Sequence, residues 1–335
     1  MAATVVERAW RDSTPEHVED DLSALWREIA GAGPAVARAV MANLVVFRFQ
    51  ERRRRPVDHA LDSTDAAIEA VIGLHPSRTI VMEHQRGDHG AQAPSHAGVG
   101  ISLFGAPPAR YGVERIVVRS ACADVSLPSI VRRFVRGDRP TSVWWTEDLS
   151  REAPLDALVE VARQLVYDSR GWHDVRSGFS IVAPLAQARR VDLADMNWRR
   201  LDPVRRALVH ALAGNRIEAA TRLSITHGPG ETALAWLLAG WLAARLRLTA
   251  EAWPSIEKSR SADEILTLTL ASGSTSVTAA MNAHRVLVSQ EGVAPVVVAV
   301  PEEQAAESMA AELRMLSRDA ALAEAVMAVA QRVES

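Results

Sequence analysis

Residues 139–148 read RPTSVWWTED, a short apolar and β-branched run that ends abruptly in polar and acidic residues. Residues 165–172, LVYDSRGW, repeat this arrangement after an intervening stretch with helical spacing of its apolar residues. Together the two runs predict a strand, a helix and a second strand. Ligands and partners of parallel sheets collect at the carboxyl ends of the strands, so the polar residues after each run are candidate functional residues.

Trp144 and Trp145 are adjacent within the first of these predicted strands. A strand points successive side chains to opposite faces. We therefore predict one indole beneath a covering helix and the other on the opposite face or at the strand end. Packing of both indoles in the core and a contact role at the surface are both compatible with the sequence.

The first 200 residues alternate between helical and extended patterns, which predicts an α/β fold with a mostly parallel sheet flanked by helices. Besides the two quoted runs, the predicted elements are helices over residues 13–30, 62–74, 126–136, 155–164 and 181–189, and strands over 79–83, 99–104 and 113–119. The last two strands are expected to pair as a hairpin. Residues 44–47 either continue the preceding helix or form a first strand.

The pattern changes after Asp192, where residues 192–203 predict a polar connector that ends in a helix N-cap. The elements predicted beyond it are helices over 204–212 and 231–248, a strand within 217–225, strands over 265–270, 276–280, 285–289 and 296–300, and a last helix over 301–333 broken near Ser317. We therefore predict an N-terminal α/β domain, residues 1–200, and a smaller C-terminal α+β domain, residues 201–335.

The composition limits the class of protein. The 335 residues carry a formal net charge of -3, so the strongly basic surface expected of a nucleic-acid-binding protein is not predicted. No apolar run approaches the ~20 residues that a membrane span requires, and the first residues do not form a signal segment. Cys122 is the only cysteine, so no intramolecular disulfide can form. These features predict a cytoplasmic protein that binds neither nucleic acid nor a membrane.

No catalytic constellation is recognisable in the sequence. The phosphate-binding motifs GxGxxG and GxxxxGK[ST], the GxSxG serine elbow and the helical metal-ligand spacings are missing, which predicts no catalytic residue, no metal and no cofactor. The remaining candidates for binding a small phosphorylated ligand are polar residues at strand ends: His75, Arg78, Asp168, Ser169 and Arg170. Arg170 offers a guanidinium fork for a phosphate. Capping of the next element by Asp168 and Ser169 is the simpler alternative.

Five stretches of the chain stand in a characteristic order and spacing. They are residues 39–46, AVMANLVV; 75–81, HPSRTIV; 143–145, VWW; 166–169, VYDS; and 192–201, DLADMNWRRL. In this order the chain resembles the family of glucose-6-phosphate dehydrogenase assembly proteins, the OpcA family of cyanobacteria and actinobacteria. The resemblance covers roughly the first two thirds of the chain well, and the C-terminal part agrees mainly in its succession of a helix and then several strands.

The resemblance implies a cytoplasmic, non-catalytic protein that binds glucose-6-phosphate dehydrogenase and promotes its active oligomer. Such a protein supports NADPH supply through the oxidative pentose phosphate pathway. The chain departs from the family in one respect, because cyanobacterial relatives are associated with thiol-based redox control and a lone Cys122 cannot close an internal disulfide. Regulation by thioredoxin is therefore not expected here.

Exposed tryptophans and arginines anchor many protein interfaces. On the implied function, the candidate partner-binding residues are Trp144, Trp145, Trp172, Trp198, Arg199 and Arg200. The competing hypothesis is a sugar-phosphate-binding or sugar-phosphate-converting enzyme, which would use the sheet edge near Asp168 together with His75.

Overall fold

The computed structural model describes residues 5–33, 35–49, 63–85, 96–106, 108–121, 126–151, 155–212, 222–259, 264–272 and 275–334. Contacts divide the chain into two compact units. Unit 1 comprises Met1–Glu147, Ala153–Tyr167 and Gln304–Ser317, and unit 2 comprises Asp148–Glu152, Asp168–Glu303 and Arg318–Ser335. The division into domains 1–200 and 201–335 stays a prediction. Cys122 lies outside the described residues.

The secondary structure alternates between strands and helices, as the sequence predicts. The strands are β1 (Val5–Ser13), β2 (Ala37–Arg38), β3 (Ala42–Phe49), β4 (Ser77–His84), β5 (His96–Phe104), β6 (Tyr111–Ser120), β7 (Thr141–Trp145), β8 (Gln164–Tyr167), β9 (Asp192–Asp195), β10 (Arg222–His227), β11 (Ser255–Lys258), β12 (Leu266–Ser272), β13 (Thr275–Met281), β14 (Arg285–Gln290) and β15 (Val293–Ala299). The helices are α1 (Val18–Ala32), α2 (Ser63–Leu74), α3 (Leu127–Phe134), α4 (Leu155–Val159), α5 (Val175–Ala188), α6 (Met196–Arg200), α7 (Asp202–Ala211), α8 (Thr232–Leu246), α9 (Ala305–Arg314) and α10 (Ala320–Glu334).

The strands of unit 1 follow the order β1-β5-β6-β4-β3-β7-β8, and β2 pairs with β6. The pairs that join β6, β4, β3, β7 and β8 are parallel, whereas β5 is antiparallel to both β1 and β6. Residues 42–47 of β3 are all buried, as expected for a parallel strand covered on both faces. The predicted α/β fold with a mostly parallel sheet is confirmed, and the open alternative for residues 44–47 is decided in favour of a strand.

The sequence did not predict β1, which pairs antiparallel with β5 at one edge of the sheet. Its residues are a mixture of charged and apolar types without a buried run, because an edge strand is only half covered. Trp10 of β1 packs directly on the backbone of β5, where a Cβ atom on Gly98 would come within 2.3 Å of the indole. Small residues on β5 therefore make the close approach possible.

The second sheet belongs to unit 2 and follows the order β11-β10-β12-β13-β14-β15. All of its pairs are antiparallel except the one between β10 and β11. This sheet confirms the second, smaller sheet domain that the sequence predicts. The prediction of a polar connector over residues 192–203 is wrong, because these residues form strand β9, helix α6 and the start of α7.

Helix α8 is apolar on all sides, and its residues 233–243 include ten buried positions. It packs against α10 within unit 2, and a Cβ atom on Gly240 would lie 2.4 Å from the carbonyl oxygen of Ala325. Glycine therefore allows the two backbones to approach. Along the part of the chain that the structure describes, no helix combines the length and apolarity needed to cross a membrane.

We expect Gly240→Ala to destabilise the protein, because the added methyl group meets backbone atoms of α10 that cannot move aside cheaply. Overpacking of this kind typically costs about 1–3 kcal/mol. Urea unfolding measures the loss. Gly31→Ala is the matched control, since Gly31 also lies in a helix but has no atom within 4 Å of the added Cβ position. Equal unfolding midpoints for the two variants would contradict the close packing of α8 on α10.

Candidate functional site

Asp168, Ser169 and Arg170 follow β8 and form the start of a 3₁₀ turn, Ser169–Gly171. The carboxylate of Asp168 caps this turn by accepting a hydrogen bond from the backbone N–H of Arg170 at 3.0 Å. The Arg170 side chain donates to the same carboxylate through Nε at 3.0 Å and Nη2 at 2.5 Å. This pairing raises the pKa of Arg170 above its ordinary value. The guanidinium fork predicted for a phosphate is therefore occupied by Asp168.

Asp195 lies at the end of β9 and is almost completely buried. Its Oδ1 accepts hydrogen bonds from the backbone N–H groups of Ser169 at 3.1 Å and Asn197 at 2.8 Å. The Asn197 amide donates in turn to the Ser169 hydroxyl at 3.1 Å. Burial, with a smaller contribution from the nearby charge of Asp168, raises the pKa of Asp195 to about 7. A carboxyl group that titrates near neutrality is thus held beside the end of β8.

Sequence reasoning missed Asp195 as a residue of this cluster. The local signal was present, because an aspartate directly before a helical stretch is typical of an N-cap, and Asp195 caps α6. The burial that shifts its pKa comes from elements distant in sequence. No pattern within residues 192–201 indicates it.

Arginines 199 and 200, predicted to bind a partner, form ion pairs within unit 2. Arg200 donates to both carboxylate oxygens of Glu231 at 2.7 and 2.8 Å. Arg199 donates to both oxygens of Glu303, each at 2.8 Å. Such bidentate pairs fix the orientation of the guanidinium plane. The side chains remain partly exposed, so a partner would meet them as ion pairs rather than as free cations.

Three of the four tryptophans predicted to bind a partner are buried, namely Trp145, Trp172 and Trp198, at 1%, 6% and 4% exposed. Trp145 stacks on Phe47 with ring centroids 4.4 Å apart. Trp198 donates through Nε1 to Asp319 at 2.7 Å, and the Arg205 guanidinium lies 3.8 Å from its ring centroid. These indoles pack the interior.

Trp144 differs from its neighbour, because the alternation of strand β7 turns it to the opposite face. It is only partly buried there. The predicted division of the two adjacent indoles between the two faces is therefore what the structure has. Among the four candidate tryptophans, Trp144 keeps the largest capacity for contact with another protein.

His75 and Arg78 lie in unit 1 at the amino end of β4, and both are buried. The imidazole of His75 hydrogen-bonds the Ser77 hydroxyl at 2.9 Å. Burial, followed by the charge of Arg314, lowers the pKa of His75. The imidazole is thus enclosed, and its contact with Ser77 is internal to unit 1.

Arg78 is fully enclosed and makes three kinds of contact. Its Nε donates to the carbonyl oxygen of Phe134 and its Nη1 to Glu114, both at 2.7 Å, and Nη2 pairs with Glu19. Trp26 also donates to Glu114, at 2.7 Å. Arg78 thus serves the interior of unit 1.

The candidate ligand-binding residues are divided between the two units. In unit 1, His75 precedes β4 and Arg78 is the second residue of that strand. Asp168, Ser169 and Arg170 belong to unit 2. Within the described ranges, no group of three or more His, Cys, Asp or Glu side chains has a metal-binding arrangement.

A cavity of about 680 Å³ lies in unit 2 beside the carboxyl ends of α8 and α10. Its wall includes Arg245, Arg247 and Arg332 but none of the residues predicted to bind a ligand. Helix carboxyl ends carry partial negative charge, which arginines at these positions offset. Glu324 of the same wall also pairs with Arg245 at 3.6 Å.

Comparison with known protein families gives two matches in tandem. A model described as the glucose-6-phosphate dehydrogenase subunit N-terminal domain matches residues 68–183, and one for the C-terminal domain matches residues 191–326. A curated relative from Nostoc punctiforme, named OxPP cycle protein OpcA, is 29% identical over 133 residues. This match covers 38% of the present chain, which spans only 28% of that relative's length.

Solved structures share part of the chain path at low sequence identity. UDP-N-acetylglucosamine 3-dehydrogenase GnnA from Acidithiobacillus ferrooxidans is 12% identical with a TM-score of 0.40, over 64% of this chain and 80% of its own. The super-repressor mutant of Gal80p from Saccharomyces cerevisiae is 8% identical with a TM-score of 0.43, over 82% and 84%. Likeness at this level carries no information about function.

We expect Asp195→Asn to flatten the pH dependence of stability between pH 3.8 and about 7. Within this window the folded protein holds a proton on Asp195 that the unfolded chain has released. The free energy of unfolding of the wild type therefore falls as the pH rises, by up to about 1.4 kcal/mol per pH unit. The asparagine oxygen can still accept from Ser169 and Asn197. The readout is the slope of stability against pH, because the buried amide can change the stability itself. Urea unfolding across the window measures the slope.

Asp174→Asn is the control for this measurement. Asp174 caps α5, and hydrogen bonds from Ser177 lower its pKa, so it is already ionised across the same window. Above about pH 5 the unfolded chain has also ionised this aspartate, so its replacement should leave the slope there unchanged. A slope for Asp195→Asn equal to that of the wild type would rule out the titration of Asp195.

We expect Arg78→Met to cost about 3 kcal/mol of stability, the lower end of the cost of breaking a buried ion pair, because the buried Glu114 then keeps only its pair with the partly exposed Arg38. Arg132→Met is the control, since the Arg132 pair with Glu160 is exposed and should contribute less than about 1 kcal/mol. Replacing Glu114 by glutamine in the Arg78→Met background should recover part of the loss. Similar unfolding midpoints for the two single variants would contradict the role assigned to Arg78.

Proposed function

The chain belongs to the family of glucose-6-phosphate dehydrogenase assembly proteins, the OpcA family, and from this we propose that it binds a glucose-6-phosphate dehydrogenase and promotes the active oligomer of that enzyme. On this proposal the protein catalyses no reaction itself. Its effect is to increase NADPH formation at the entry to the oxidative pentose phosphate pathway. The tandem match of both family domains over most of the chain is the observation that carries the proposal.

The internal contacts of the candidate ligand-binding residues support the proposal over the enzymatic alternative. An enzyme acting on a sugar phosphate needs polar groups that are free to bind the substrate. In this chain Arg170 is held by Asp168, and Arg78 is enclosed with Glu114. His75 is buried and hydrogen-bonded to Ser77. The groups that the sequence offered for a substrate are thus engaged in internal contacts.

An assembly factor acts by binding one state of its target better than another. It then shifts the population of the target by the difference between the two affinities. Couplings of about 1–3 kcal/mol are typical, which corresponds to a change of roughly 5- to 150-fold in an equilibrium constant. Such a protein needs a complementary surface and no reactive group of its own.

We propose Trp144 as the residue whose replacement tests the surface that contacts the dehydrogenase. It is partly exposed on β7, and tryptophans are frequent anchors of protein interfaces. The ion-paired Arg199 and Arg200 remain proposed contributors. Trp145, Trp172 and Trp198 support the fold from the interior, so changing them tests stability first.

The test is to mix the purified protein with the glucose-6-phosphate dehydrogenase of the same organism and to record NADPH formation and particle mass by light scattering. We expect a higher rate together with a larger particle. Trp144→Ala should weaken both effects by about tenfold or more, as the loss of an interface anchor does. Melting temperatures of the isolated variants establish that folding is retained.

Trp10→Ala is the matched control, because Trp10 is also a partly exposed tryptophan on a strand of unit 1 but is not a proposed anchor. It should leave the activation unchanged. Unchanged rate and particle mass with the wild-type protein would contradict the proposed function. A rise in melting temperature with glucose 6-phosphate alone, combined with no effect on the dehydrogenase, would instead favour the sugar-phosphate-binding alternative.

A further inference from the structure

The sheet of unit 2 has two unlike faces. On one face, buried apolar residues lie side by side across the strands, and the row Ile225, Leu268, Ala279 and Val288 is an example. Helix α8 contacts β10 and β11, and α7 contacts β13, β14 and β15. The hydrophobic core of unit 2 therefore lies on this face.

The opposite face consists of the alternate residues of the same strands. Cross-strand partners share a face of a sheet, so the pairing register identifies its members. They are Ser224 and Thr226 on β10, Thr267 and Thr269 on β12, Thr278 and Ala280 on β13, Leu287 and Ser289 on β14, and Val297 on β15. We call this set the hydroxyl face. All of its members are partly or fully exposed.

None of these nine residues is charged, although the solvated face of an antiparallel sheet normally alternates with polar and charged side chains. The charged residues of the same strands stand at the margin. Arg222 and Arg285 begin β10 and β14, and Glu257 lies on the edge strand β11. An uncharged centre with a charged rim is the composition of a protein interface, where charged residues are depleted from the core.

The hydroxyl face also has an apolar end. Ala280, Leu287 and Val297 are direct cross-strand neighbours on β13, β14 and β15. Val297 is 57% exposed, and it lies on an edge strand that contains no buried residue. Exposed apolar groups on a flat sheet edge favour association with another surface.

We propose that the hydroxyl face binds the same face of a second copy of this chain and so forms a two-fold symmetric dimer. A two-fold interface requires a patch that is complementary to itself. A patch without charge meets this condition, because it brings no like charges together. Its small hydroxyl-bearing and aliphatic side chains also allow two sheets to pack face to face at the usual spacing of about 10 Å.

The area of the face is at the lower limit for such a dimer. The hydroxyl face spans five strands, and at about 4.8 Å between strands and about 17–20 Å of strand length it covers roughly 400–500 Å². Two copies would bury about 800–1,000 Å² in total, and the charged rim on β11 brings this to the size of about 1,000 Å² expected of a specific interface.

Thr278→Arg tests the proposal at its centre. Strands β12 and β13 are the middle pair of the sheet, and Thr269 and Thr278 face each other there. A two-fold axis through the centre of the face brings the two copies of residue 278 together, so the substitution places two guanidinium groups in contact. Sedimentation equilibrium of the purified chain alone should show a dimer for the wild type and a dissociation constant raised about tenfold or more for the variant.

Ser23→Arg is the control, because Ser23 lies on the exposed side of α1 in unit 1. This variant should remain a dimer, and the melting temperature of each variant establishes that it is folded. Thr278→Glu alone should also dissociate, and an equal mixture of Thr278→Arg and Thr278→Glu should associate again. Restored association by opposite charges would place residue 278 at the interface, which a folding defect does not do.

A monomeric wild-type chain at micromolar concentration would overturn the proposal, as would a Thr278→Arg variant that stays dimeric. If the wild type is monomeric and Thr278→Arg abolishes activation of the dehydrogenase, the face binds that enzyme and the second-copy assignment is wrong. Sedimentation of the isolated chain therefore decides this proposal independently of the proposed function.

Discussion

The ion pair between Arg78 and Glu114 is the constraint on which unit 1 depends. Taking two charges out of water is expensive, and their attraction compensates only when the remaining hydrogen-bonding groups are also satisfied. Here the Arg78 guanidinium also reaches the carbonyl of Phe134 at the end of α3 and the carboxylate of Glu19 on α1. The pair therefore requires β4, β6 and two helices to be in place together. A one-residue shift of β4 would turn Arg78 to the other face of the sheet and leave Glu114 without it.

Unit 2 is organised by the short segment 192–201 in a comparable way. Asp195 accepts a hydrogen bond from the backbone N–H of Ser169, and Trp198 donates one to Asp319. The two following arginines form ion pairs, Arg199 with Glu303 and Arg200 with Glu231. The residues that identify the family in sequence thus hold distant parts of the chain together. Their chemistry is explained by packing and ion pairing inside the protein.

The elements that sequence reasoning predicted correctly are those with a strong period of their own. Strands β4 and β7 contain short apolar runs because both faces of a parallel sheet are covered. The apolar run of β3 was equally compatible with a helix, and only its pairing with β4 and β7 decided for a strand. The elements that it missed lie at edges or are short. Strand β1 mixes charged and apolar residues because one side is open, and β11 has only four residues. Helix α5 begins at Val175, six residues before the predicted start at residue 181, because the carboxylate of Asp174 satisfies the first backbone N–H groups.

The sequence by itself determined the α/β class, the second and smaller sheet, and the family. The spacing of apolar residues and the order of five short stretches can both be read directly from the chain. It also limited Asp168 to two roles, capping or ligand binding. Only the tertiary structure showed that Asp168 caps the following turn, that burial raises the pKa of Asp195 and that three of the candidate tryptophans are buried. These properties depend on which distant side chains become neighbours. Desolvation and ion pairing act between neighbours in space, and local sequence patterns do not record those neighbours.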